Sequence, residues 1–299
     1  RTLRGAGVSA PTGRGGLPAW LSPVWLVLAA IVSVQVGAAF AKSLFALTDP
    51  TAVAWLRMAA AALVFWLFAR PRLRGRTWAQ WRVVIGYGIA LAGMNWAIYQ
   101  SFARIPIGLA VTIEFLGPLG VALIGSRRAR DLLWVALAAV GVALLGVFPT
   151  TVDWIGVGFA LLAGAGWAAY IVLSGPTGAA WDGVTGVTVG SLVGALVFAV
   201  PGLLAGGTRL WQPQVVGLAA AVAVLSSVIP YGFEMVARRD IPASVFGILM
   251  SLEPAAAALA AFLLLGERLG WVELVAMACV VVASVGSTRA LSAVPSLNE

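Results

Sequence analysis

The chain has no histidine and a single cysteine, Cys279. A disulfide is therefore excluded, and so is a zinc-type cluster of thiolates and imidazoles. Ser–His and Cys–His catalysis fall on the same ground. Any proton handling is left to carboxylates. Charge is scarce as well. Nineteen basic and 11 acidic residues make up 10% of the 299, against roughly 25% in soluble globular proteins. So few charges cannot coat a water-facing surface. No glycine-rich phosphate cradle opens a helix, so neither ATP-driven pumping nor a cofactor is expected. The net charge of +8 does not point to nucleic acid, because the arginines cluster beside apolar stretches, where a topology signal would put them.

Apolar sequence fills the space instead: 61% of residues are hydrophobic and the mean hydropathy is +1.00. A helix needs about 20 apolar residues to cross the hydrocarbon core. Ten stretches meet this need, at 23–45, 50–69, 82–102, 106–126, 131–149, 154–174, 184–205, 212–237, 242–265 and 270–290. Residues 132–148 (LLWVALAAVGVALLGVF) are apolar without alternation, which excludes a barrel strand. The expected fold is an all-α polytopic membrane protein with ten transmembrane helices, surrounded by lipid.

Cytoplasmic loops carry excess Lys and Arg. Fourteen arginines fall on the side of the N-terminus: Arg1, Arg4, Arg14, Arg70, Arg72, Arg74, Arg76, Arg82, Arg127, Arg128, Arg130, Arg238, Arg239 and Arg289. Three, Arg104, Arg209 and Arg268, fall on the other. Both termini are thus expected in the cytoplasm, in a multi-pass protein of the bacterial cytoplasmic (inner) membrane. Residues 1–19 read as a disordered cytoplasmic tail without the apolar core of a cleavable signal, and 291–299 as a second tail.

The chain between the tails divides into two weakly similar halves, 20–149 and 150–290. Pro106 and Pro118 recur as Pro242 and Pro254, 136 residues later. The first of each pair follows an isoleucine and opens a stretch; the second interrupts it. Five spans per half invert the second copy, giving two inverted five-helix repeats with a site expected near the midplane.

Charged groups at the centre of a membrane helix cost about 2.5–3.5 kcal/mol each on insertion scales, which singles out Lys42, Arg57, Glu114, Glu234 and Glu253. Under the 136-residue offset Glu253 falls on Gly117, one helical turn from Glu114, so both acids are expected to face one central cavity. There they would bind a substrate ammonium, carry protons, or both; alternatively each would pair with a cation or hydroxyl and only hold helices together. Pro118 and Pro254 loosen the backbone beside them and suit a gating or structural role. Arg57 and Lys42 are candidates for a substrate carboxylate, Arg57 by two parallel hydrogen bonds. Glu234, near the end of its stretch, fits gating or structure better than substrate contact. Asn95 and Tyr99 share a helix face and would line the cavity, with Trp167 as a stacking surface.

Trp20, Trp25, Trp78, Trp81, Trp134, Trp154, Trp181, Trp211 and Trp271 lie near stretch ends, as an interfacial belt would. Gly186, Gly190 and Gly194 form a small-residue stripe that permits close helix packing within the chain or in a homodimer.

Four blocks carry a family resemblance: GAAFAKSLF (37–45), LRMAAAALV (56–64), GMNWAIYQSFARIPIGLAVTIEFLGPLGVALIGSRR (93–128) and IPYGFEMVARRDIPASVFGILMSLEPAAAAL (229–259). In these the chain resembles the drug/metabolite transporter superfamily, EamA-type, over roughly residues 20–290. The resemblance implies ten helices in inverted repeats and a secondary active exporter, not an enzyme, working by alternating access and by antiport with protons. It implies small amino acids, of the threonine or homoserine kind, as substrate. Export of other metabolites or cationic drugs, with Trp96 and Trp167 as the recognition surface, is the alternative within the family; an intramembrane enzyme or lipid-handling protein is the alternative outside it.

The charge asymmetry makes a direct prediction. Alkaline phosphatase fused after Thr208 should be active in cells, and fused after Leu73 inactive; the reverse pattern would overturn the orientation.

Overall fold

The computed structural model describes residues 23–71, 73–124, 132–147, 152–181, 184–237 and 240–292. The tail expected at 1–19 lies outside them, as do Trp20, Arg127, Arg128, Arg130, Arg238 and Arg239; of the tail expected at 291–299, the first two residues belong to α14 and the rest lies outside. Among the described residues every regular element is helical. The chain runs through α1 (Pro23–Leu44), α2 (Pro50–Ala69), α3 (Trp78–Phe102), α4 (Ile107–Glu114), α5 (Leu116–Ile124), α6 (Leu132–Val147) and α7 (Trp154–Ala180). It continues through α8 (Thr185–Val197), α9 (Ala199–Gly206), α10 (Pro213–Ala223), α11 (Ile229–Ala237), α12 (Ala243–Met250), α13 (Glu253–Leu265) and α14 (Trp271–Ser292). A π-turn at Val224–Val228 joins α10 to α11.

Helix starts follow local chemistry. Asp49 and Asp153 accept from the amides of Thr51 and Ile155, at 2.7 and 2.8 Å, and so open α2 and α7. Thr77 and Gln80 form a reciprocal capping box on α3. Helix ends follow proline. A proline has no amide for the carbonyl four residues earlier. Pro118 removes the partner of Glu114, where α4 ends. Pro254 does the same at Met250, where α12 ends, and Pro201 at Val197, where α8 ends. The breaks in the two matched helices, at Phe115 and Ser251, are 136 residues apart, as are the helix-opening Pro106 and Pro242, whose backbones nearly coincide (φ −57°, ψ 142° and φ −59°, ψ 145°).

Each of the ten expected stretches is helical over most of its described residues. Among the described residues seven helical segments are long and apolar enough to cross a membrane, namely α1, α2, α4 with α5, α7, α10 with α11, α12 with α13, and α14; α8 with α9 would make an eighth, bent by 49° at Phe198. The sequence reading missed that bend, because Pro201 sits inside an otherwise unbroken apolar run. It also ended the sixth stretch at 174, two residues before Pro176, whereas α7 continues through that proline to Ala180. The helix α3 is long enough to span but less apolar. It carries Asn95, Tyr99, Gln100 and Ser101, all buried against the protein.

One further expectation is corrected, and one that was left open takes its within-chain form. Trp181 is fully buried rather than interfacial; its indole donates to the Gln80 carbonyl at 3.1 Å, packs edge-on to Trp81, and is covered by Arg76. The glycine stripe is enclosed within the chain. A methyl group at Gly194 would meet Ala92 at 2.8 Å, one at Gly186 would meet Thr177 at 2.8 Å, and Gly190 lies against the Tyr87 ring. That face is covered by α3 and α7, so it is not open to a second copy.

The end of the bundle opposite Trp181 is fastened by charge. Lys42, at the end of α1, donates to Glu267 at 2.6 Å and to the Ile105 carbonyl at 2.9 Å. The second carboxylate oxygen of Glu267 accepts from the Ile107 amide, the first of α4, at 2.9 Å. Neutralising Glu267 leaves a largely buried ammonium unpaired. Removing one partner costs roughly 0–1 kcal/mol at an exposed pair and about 3–5 kcal/mol at a buried one. With side chains 23% and 16% exposed, Glu267→Gln should cost about 1–3 kcal/mol and Glu267→Ala more, since it also uncaps α4. Melting in detergent, followed by tryptophan fluorescence, checks this; unchanged melting in both variants would contradict it.

Candidate functional site

The missing amide of Pro230 sets the centre of the bundle. Four residues earlier, the Ser226 carbonyl cannot receive an α-helical hydrogen bond, and the chain forms the π-turn Val224–Val228 there. Arg57 of α2 supplies a donor, at 3.2 Å. Its guanidinium also reaches the Tyr99 hydroxyl at 3.5 Å and lies 5.7 Å from the centre of that ring. The neighbouring carbonyl of Leu225 accepts from Ser33 of α1 at 2.7 Å. Arg57 is thus held by an irregular backbone carbonyl, with donors left over.

Glu114 is buried at the break between α4 and α5, within electrostatic reach of Arg57. The helix α7 packs against that break through Gly164; a methyl group there would lie 2.8 Å from the Glu114 carbonyl. Glu253, equally buried, opens α13 and is within electrostatic reach of Glu114 and of Glu234. The two expected acids therefore come together, in a group that includes Arg57 and Glu234. Among the described residues neither carboxylate has a hydrogen-bond or ion-pair partner.

Two cavities flank this group. The first, about 120 Å³, is lined by Arg57, Asn95, Ser191, Ser226, Ser227 and three tyrosines among its polar residues. The second, about 470 Å³, lies toward the Trp181 end and is lined by Pro118, Trp167, Ser174, Thr177, Ser284, Ser287 and Thr288. Glu114, Glu253 and Tyr99 line neither; Phe115, Pro118 and Met250, beside the acids in sequence, line the second. Trp167 packs edge-on to Phe115 at 5.2 Å. Pro254 is buried. Lys42 is not part of this group at all, since Glu267 holds it at the other end. Trp96 is a packing residue, set between Phe159 and Phe198 with its indole donating to Thr51.

A match to the EamA-like transporter family covers residues 154–289. The threonine/homoserine exporter RhtA of Escherichia coli strain K12 is 42% identical over 287 residues, covering 95% of this chain and 96% of that protein. RhtA of Salmonella typhimurium strain LT2 is equally similar, with 42% identity over the same shares. The chain belongs to the EamA-like transporter family. It is a transporter rather than an enzyme, and its apolar helices are those of a multi-pass membrane protein. A solved crystal structure shares the fold at a TM-score of 0.61 and 18% identity, covering 91% of this chain and 97% of that one.

Several residues of this transporter's centre escaped the sequence reading. Tyr87 was passed over among apolar neighbours, and Ser191, Ser226 and Ser227 as ordinary small residues. Pro230 was the available signal for the last pair. Glu267 sits in a connection, where a charge reads as solvated.

Because Gly164 is in contact with the backbone that carries Glu114, Gly164→Ala should push the break away. Overpacking of this kind costs about 1–3 kcal/mol. The variant should melt several degrees lower and lose most of its transport, while Gly158→Ala, where the added carbon meets nothing, should do neither. Equal behaviour of the two variants in melting and flux assays would refute the packing account.

Proposed function

We propose that this protein exports small zwitterionic amino acids of the threonine and homoserine kind across the bacterial inner membrane, exchanging them for protons by alternating access. The observation that carries the substrate class is the 42% identity to threonine/homoserine exporters over 95% of the chain. In this reading ten helices span the membrane in two inverted repeats, with both termini in the cytoplasm. The breaks at Phe115 and Ser251, and the helix openings at Pro106 and Pro242, support the repeat. The family match from 154 to 289 supports a second unit with nearly those limits.

Arg57 in the wall of the first cavity, with Glu114 within electrostatic reach of it, supports the mechanism. Arg57 grips the substrate carboxylate with the donors that Ser226 and Tyr99 leave over. Lys42 drops out of that role, since Glu267 engages it. Glu114 and Glu253, which have no internal partner among the described residues, take the ammonium or a proton in turn. Like charges repel in a dry interior and favour any cation that reaches them, so substrate ammonium and protons compete for the two acids. A proton arriving from outside displaces the ammonium, and proton release to the cytoplasm resets the site. Asn95 adds a polar contact, and Glu234, beside Glu253, acts in gating. The first cavity is small against the roughly 300–1,000 Å³ of sites for drug-sized ligands, which favours a small amino acid over a drug.

Proteoliposomes loaded with labelled threonine and given an inward proton gradient test the reading. Wild type should release threonine in response to the gradient. Glu114→Gln and Glu253→Gln should each lose at least tenfold of that gradient-driven efflux. Normal efflux from both variants would end the proposed chemistry.

A further inference from the structure

The two cavities meet at one wall. Tyr87 of α3, Tyr170 of α7, Val187 of α8 and Tyr231 of α11 line both of them. The Tyr87 and Tyr170 rings stack at 4.9 Å with 34° between their planes, and the side chains of Tyr87, Tyr170 and Tyr231 lie within electrostatic reach of one another. Phe65 supports Tyr231 from behind at 5.1 Å. Three of the four tyrosines in the chain thus stand in one partition. On one side lies the cavity of about 120 Å³ that holds Arg57; on the other lies the cavity of about 470 Å³ toward the Trp181 end.

We infer that these three tyrosines and Val187 form a septum that sets the size of substrate admitted to Arg57, limiting it to amino acids with short side chains. The septum rests on the reading of the first cavity as the substrate site. The rings close the passage, and their hydroxyls, each both donor and acceptor, give it a polar face without a charge. A tyrosine has only two side-chain torsions, so a stacked ring is a stiff wall. A substrate that passes it enters a chamber whose other walls are Met58, Ala61, Leu91, Met94 and Ser191, with no room for a long side chain. The bulk of the septum, rather than any attraction to a particular side chain, would then discriminate threonine from phenylalanine.

Two measurements test this, one of them independent of what the protein carries. In a Cys279→Ala background, Ser191→Cys places one thiol in the small cavity. With the septum intact it should react with a small methanethiosulfonate ammonium reagent at least tenfold faster than with a bulky biotin maleimide. Tyr231→Ala, or Tyr170→Ala should the first fail to fold, should remove most of that difference; Tyr231→Phe, which keeps the ring, should preserve it. An unchanged ratio of the two rates in a folded alanine variant overturns the septum. The second measurement is efflux of threonine and phenylalanine from proteoliposomes. Wild type should favour threonine, and the alanine variant should lose that preference at least tenfold. If wild type moves no amino acid while the thiol rates change as expected, the substrate reading fails and the septum stands. If wild type exports threonine but the alanine variant remains as selective as before, the septum fails and the substrate reading stands.

Discussion

Four prolines each withhold an amide from a carbonyl inside a helix that sits in lipid, where an unsatisfied backbone group costs several kcal/mol. The structure answers each loss locally. At Pro118, Pro254 and Pro201 the helix stops at the residue whose carbonyl lost its partner: Glu114, Met250 and Val197. At Pro230 the chain widens into a π-turn and Arg57 donates to the Ser226 carbonyl. The irregular backbone and the central charge are therefore one feature. Arg57 is affordable in the interior because a carbonyl there needs a donor, and Ser226 keeps its irregular geometry because Arg57 is present. The acids are placed by the same rule, since Glu114 ends one interrupted helix and Glu253 begins the other.

This rule explains which parts of the molecule were legible beforehand. Apolar length and proline position are one-dimensional signals, and they marked all ten helical stretches, the matched prolines and the two acids. Arg57 and Asn95 were visible because a polar group in an apolar run is conspicuous. Partners were not. Lys42 looked equivalent to Arg57, yet Glu267, from a connection 225 positions later, takes it away from the centre; nothing local distinguishes a connection's carboxylate that will meet a lysine from one that will meet water. The glycine stripe was equally ambiguous, because small residues announce close approach without naming the neighbour. Tyr87 was hidden for the opposite reason: a tyrosine among apolar residues is unremarkable until two others from distant helices are brought against it.

The polarity of α3 belongs to the same account. Ser101 donates to the Gly156 carbonyl at 2.9 Å, Gln100 to Thr51 at 3.0 Å, and Asn95 to the Leu91 carbonyl of its own helix at 2.7 Å. Polar groups that lower the hydropathy of this helix are directed into the protein rather than into lipid. Hydropathy alone therefore undervalues the helix that packs most extensively on α7.

The two ends of the bundle are closed by different chemistry, and both closures join residues from before position 150 to residues from after it. Lys42 meets Glu267 at one end; nearer the other, Tyr87 meets Tyr170 and Tyr231. If the two parts of the chain move as units, neither closure survives a rocking motion that opens its own side, and each can persist while the other is open. An ion pair, strong when dry and weak when wet, suits an end that must release to water once it parts. A wall of aromatic faces with uncharged hydroxyls suits the other side, because it parts without baring a charge. The same two contacts that hold the present state together are thus the ones whose alternation would carry a solute across.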